Sequence, residues 1–203
     1  IENDKYAKRK VVSDDVFSLY EWMDHMVSKS NNAAASIIMR ETILLHIFDK
    51  SYECISDKKA AEYFEKTSKG VLSDLAEEIM NCPLNRHGIS PDEFRLGGFF
   101  TNGSEKYVPR QGGSTGTTKG IMKLLFLMEQ GHLISERISL EMKRVLYLTD
   151  RRIRYASATS LNKDAVYFKS GSLYRFKDEP GFERIQYAGN KYNYMNSVAI
   201  VEK

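Results

Sequence analysis

Residues 164–174 read DAVYFKSGSLY, and the fold turns on this stretch. Val166, Tyr167 and Phe168 stand on one side of Lys169-Ser170-Gly171, and Leu173 and Tyr174 on the other. Branched and aromatic residues of this kind suit a pleated strand. Downstream, Lys177 to Gly181 predicts a turn, residues 183–188 a short strand or part of a long loop, and Tyr192 to Val201 another strand. The end of the chain therefore reads as antiparallel strands over 161–203.

Everything upstream carries a different period. Ser13-Asp14-Asp15 offers a capping oxygen and early acids, which predicts a helix start there. Val16, Leu19, Met23 and Met26 follow at helical spacing, until Ser28-Lys29-Ser30 makes a polar break. A second helix is expected from about Asn32 through Leu44, apolar nearly all round and so buried. Residues 57–81 hold a further helical pattern. Residues 82–116 are punctuated by proline and glycine, and a long irregular stretch of that kind is often functional. Thr117 or Thr118 caps the next helix, which breaks at Gly131, and Ser135 to Leu148 forms another. Helices followed by strands predict an α+β fold, with a helical lobe over 1–160 packed beside an antiparallel sheet.

Composition excludes several classes. The net charge of +3, with both signs mixed, does not argue for nucleic acid, and no apolar run reaches the length of a membrane span. His25, His46, His87 and His132 are scattered, so neither a metal site nor a cofactor is expected. Cys54 and Cys82 read as free, mostly buried thiols, with one bridge as the alternative in an exported protein. Arg151, Arg152 and Arg154 read as a solvated helix end.

Lys169-Ser170-Gly171 has a partner far upstream, Ser30-Asn31-Asn32 at the polar break. In that order, on a strand and between two helices, they resemble two of the three signatures of the penicillin-recognising serine hydrolases, class A β-lactamases and penicillin-binding D,D-peptidases: S-x-x-K, S-D-N and K-T-G. The segments VFSLYEWMDHMVSKSNNAAASIIMRE and STGTTKGIMKLLFLMEQGHLISERISLEMKRVL resemble the family's surroundings of these motifs. The resemblance implies a β-lactamase/transpeptidase-like fold and an acyl-serine intermediate formed on a β-lactam or a D-alanyl peptide. Ser30 and Lys169 would be the catalytic pair, with Ser30 passing a proton to the leaving nitrogen. Asn32, Ser170, Gly171 and Ser172 would bind substrate. A periplasmic or extracellular location follows from the same resemblance.

This chain departs from the family in three places. Asn31 stands where the family has an acid. The deacylating E-x-x-L-N motif is absent from the loop at 82–116, leaving Asn102 and Glu105 as nearby candidates for deacylation. No S-x-x-K precedes Ser30, so the nucleophile is expected outside the given sequence, and the sheet is expected to be incomplete at both chain ends, with an edge open to a missing segment or another chain. The strings Ser56 to Lys59 and Ser160 to Lys163 follow S-N-N and are not read as the nucleophile. Read without the family, Ser30-Asn31-Asn32 is a helix cap and Lys169 an edge-protecting lysine. The alternative function is a non-catalytic relative that binds cell-wall peptide or a protein partner.

Overall fold

Ser18, not Ser13, opens the first helix. A computed structural model describes residues 15–98, 108–109, 112–149 and 152–203. In it α1 spans Leu19–Ser28, and Ser18 and Glu21 form a reciprocal capping box. That box satisfies two orphan donors at once, so it fixes the start later than the Ser13-Asp14-Asp15 signal suggested. Val16, read as part of the helix face, lies outside it and is 87% exposed.

The long helix α2 (Asn32–Phe48) buries Ala34, Met39, Ile43 and Leu44. Residues 57–81 hold two helices, α3 (Asp57–Lys66) and α4 (Lys69–Met80). Ser68 caps α4 while Thr67 is extended, which breaks what the periodicity alone joins. Leu72 and Ala76 of α4 and Phe64 of α3 close over Met39, Ile43 and Leu44 to make the main core.

The stretch 82–116 is less irregular than expected. It begins with α5 (Cys82–Arg86), started at Pro83, and holds a short antiparallel pair, β1 (Phe94–Arg95) with β2 (Thr115–Gly116). Asn102 and Glu105 lie outside the described residues. Thr117 caps α6 (Thr118–Glu129), and its own N–H and hydroxyl both donate to Glu93 O. Gly120 is required here, since a Cβ would come within 2.4 Å of that carbonyl oxygen. The Glu93 carboxylate takes both Lys123 and Lys119, whose hydrogen bonds, Lys123 first, hold it well below the usual range, at about 2. The last helix, α7 (Glu136–Tyr147), is capped by Ser135.

The chain then enters β3 (Ala165–Arg175), which pairs antiparallel with β4 (Tyr192–Glu202) in an unbroken register running from Ala165 opposite Glu202 to Arg175 opposite Tyr192. Residues 183–188 belong to the connection rather than to a strand. Val166 and Phe168 are fully buried against Ala156 in a second, smaller core. The architecture is α+β, with two small antiparallel sheets among the described residues. Among the described residues no helix is long and apolar enough to cross a membrane.

Candidate active site at the α1–α2 turn and strand β3

Ser30 sits between two helices in a conformation few residues adopt. Its φ is +54°, in the left-handed region, while Lys29 closes α1 and Asn31 opens α2. The Asn31 N–H reaches back to His25 O at 3.2 Å, and its side chain accepts from Ala34 N at 3.1 Å. Asn31 is therefore the cap, and Ser30 is not. A non-glycine residue in this region costs on the order of 1 kcal/mol or more, and such strain concentrates at functional positions.

The Lys169 ammonium donates to Ser30 Oγ at 2.7 Å across a sequence separation of 139, and to Ser170 O at 2.7 Å. This meeting depends on how β3 is held. Tyr167 shares the Lys169 face of the strand, because side chains alternate. Its ring packs on Tyr147 of α7 at 5.7 Å, and its hydroxyl donates to Glu202 at 2.6 Å. Lys143 of α7 lies between Glu202 and Glu129, close over the Tyr167 ring. Burial works against the Lys143 charge, but hydrogen bonds to Glu202 and Glu129 outweigh it and hold the ammonium above the usual lysine range. The same bonds, Lys143 first and Tyr167 second, hold Glu202 below the usual carboxylate range. Below this network, Thr149 Oγ1 donates to Ser28 O at 3.4 Å, tying the end of α7 to the end of α1.

The remaining predicted residues are neighbours of this pair in the chain, with the Ser170 and Ser172 side chains on the face of β3 opposite Lys169. Asn32 is the first residue of α2 and is exposed. Ser170 and Ser172 share one face of β3, and a Cβ built on Gly171 meets nothing within 4 Å. The Arg175 carbonyl accepts from Lys191 N at 3.0 Å, so the Arg175 peptide groups face the β4 side. Alternation along the regular register then turns those of Ser170 and Ser172 to the opposite edge, where nothing pairs with β3 among the described residues.

Sequence reasoning missed Arg154. It was read as a solvated helix end, yet its backbone has φ +58° and its guanidinium donates to Ser172 Oγ at 3.1 Å and to Asn196 O at 2.6 Å. It thus places a fixed cation at the exposed end of the Ser170–Ser172 row. No local signal marks it, because the contact forms only when residues 152–157 fold over β3. Arg151 lies outside the described residues. Of the two other S-x-x-K strings, Ser56 caps α3 through Lys59 N, and Ser160 lies in the short helix Thr159–Leu161. Cys54 is exposed rather than buried, Cys82 is half-buried, and both are free. Among the described residues no group of three or more His, Cys, Asp or Glu side chains is placed to hold a metal.

The arrangement can move a proton. A hydroxyl has one donor hydrogen and two acceptor positions. With the Lys169 ammonium donating to its oxygen, the Ser30 hydrogen points elsewhere and is available to a leaving group. The open-edge N–H of Ser172 and the Arg154 cation bonded to its Oγ favour negative charge beside Ser172. No protein-family model matches this chain, and no curated protein or solved structure matches it either.

Proposed function

We propose that this chain supplies half of the active site of an acyl-serine hydrolase or transferase of the penicillin-recognising type, acting on an amide. The observation that carries the reading is the contact of Lys169 Nζ with Ser30 Oγ, made by the two motifs singled out in the sequence. As the serine nucleophile's oxygen bonds to the acyl carbon, the C–N bond breaks. Ser30 passes its proton to the departing nitrogen and is re-supplied from the side of Lys169. Asn32 and the open edge at Ser172 hold the amide, while Ser170, Ser172 and Arg154 receive a substrate carboxylate. In this proposal the nucleophile and its base, an S-x-x-K pair, are not supplied by the residues described above. A β-lactamase/transpeptidase-like fold belongs to the same proposal.

Asn31 favours the second reading. Its side chain is consumed in capping α2, where the family keeps an acid, and the E-x-x-L-N motif is lacking. A relative that binds cell-wall peptide without turnover needs neither. Fluorescent penicillin added to the full-length protein separates the two. Covalent labelling that drops by about a hundredfold or more in Lys169→Ala fits loss of a proton-transfer group. Wild-type protein that binds but is never labelled leaves the non-catalytic reading.

A further inference from the structure

The connection between β3 and β4, residues 176–191, is far longer than the roughly 2–5 residues of an ordinary hairpin loop. It is nevertheless built. Asn190 closes its neck, accepting from Lys177 N at 2.7 Å and donating to Lys177 O at 2.9 Å. Gly189 packs so tightly on Arg175 and Tyr192 that a Cβ would come within 2.4 Å of Tyr192 O. Inside the neck a chain of rings continues the Ser170–Ser172 face of β3. Tyr174 lies 5.6 Å from both Phe176 and Tyr187, and Phe176 lies 6.0 Å from Phe182. Arg184 stands over Phe176 at 5.8 Å and pairs with Asp178, while Lys177 pairs with Glu179 at 3.3 Å. Lys177, Asp178, Glu179, Pro180, Phe182 and Arg184 line an open cavity of about 320 Å³ whose wall has an apolar side and charges of both signs.

Its position limits what it can take. Lys177 lies five residues beyond Ser172, roughly 17 Å along an extended chain at about 3.3 Å per residue. A compact bicyclic lactam held at Ser170 and Ser172 does not reach that far. A peptide does, because the same edge of β3 offers unpaired backbone groups over the intervening distance, and an extended chain can add to it as a strand. We propose that the 176–187 segment is a second subsite, for the non-reacting end of an extended peptide carrying an apolar side chain beside charged ones of opposite sign. This rests on the acyl-transfer reading for the reacting end. Within that reading it selects a peptide polymer over a small lactam as the natural substrate. Arg184 and Lys177 pair with its acidic group, Asp178 and Glu179 with its basic one, and Phe182 and Pro180 cover its apolar one.

The test is calorimetric titration of the full-length protein with two peptides. One is acetyl-Gly-D-Ala-D-Ala. The other is acetyl-Lys-Leu-Glu-Gly-Gly-Gly-D-Ala-D-Ala, which sets its charged end five residues or more from the terminal carboxylate. The longer peptide should bind about tenfold tighter. Phe182→Ala and Arg184→Ala should each bring it down toward the short one, and Arg184→Lys should recover part of the loss. Equal affinity for the two peptides in the wild type, or no effect of either alanine variant, overturns the subsite. Failure of both peptides to bind also overturns it. Tight, Phe182-dependent binding of the long peptide alone supports the subsite while counting against the acyl site at Ser170. Penicillin labelling reads that site separately.

Discussion

The helical lobe and the β3–β4 hairpin are stabilised in different ways. In the lobe, Met39, Ile43, Leu44, Phe64, Leu72 and Ala76 bury one another from three helices. Under the hairpin, only Val166 and Phe168 of the strand are fully buried, on Ala156. A two-stranded sheet is marginal by itself. What joins β3 to the helices on the Lys169 side is largely polar: Lys143 with Glu129 and Glu202, and Tyr167 with Glu202. Apolar burial is non-directional and sets how stable a region is. Charged hydrogen bonds are directional and set where a strand lies. The Ser30–Lys169 contact spans the two regions, so its geometry depends on the polar side of this division.

Phe168→Ala should break the contrast most visibly. Removing a fully buried ring from so small a core is expected to cost about 3–5 kcal/mol. Amide exchange should quicken along β3 and β4 while amides around Ile43 and Leu72 keep their protection. Equal loss of protection in both regions means that they unfold as one unit.

Lys143→Met tests the polar join. The melting temperature should fall by about 2–4 °C at neutral pH. The Glu202 carboxyl is held below its ordinary value of 4.5, so its contribution is present above that value and lost as pH falls through its lowered folded pKa. The Lys143 ammonium is held above its ordinary 10.5, so its contribution is present below that value and lost as pH rises past its raised one. The gap between wild type and variant should therefore be widest from about pH 5 to pH 10 and close toward both extremes. A gap that stays the same into both extremes would assign the loss to packing on Tyr167 instead.

The smallest effects sharpen the division of labour at the α1–α2 turn. Asn31→Ala removes a cap and should cost about 0.5–1 kcal/mol. Ser30→Gly should cost less than that in thermal unfolding, since glycine adopts φ +54° without strain and offsets the lost hydrogen bond. A larger loss for Ser30→Gly would return the cap to Ser30 and weaken its claim to a chemical role.

Much of the fold was legible because it follows from local rules. The branched and aromatic residues on either side of Lys169-Ser170-Gly171 marked β3, and the helix starts at Asn32, Thr118 and Glu136 followed from residues able to cap. Where several capping residues competed, the sequence could not choose. Ser13 and Ser18 both qualify, and the reciprocal bond with Glu21 decides for Ser18. Thr67-Ser68 broke a periodic run because a capping serine satisfies donors that an unbroken helix would not leave open.

The site divides in the same manner. Motif order and element type suggested Ser30 and Lys169 together, but Asn31 as the cap, the left-handed turn at Ser30 and the role of Arg154 depend on segments meeting from afar. By itself the sequence marked most of the helices, the two long strands, and a serine and a lysine in suggestive motifs, because these depend on the nearest neighbours in the chain. Only the tertiary structure decided which hydroxyl meets which ammonium, because a directional bond across more than a hundred residues exists only once the packed lobe and the hairpin fix both partners.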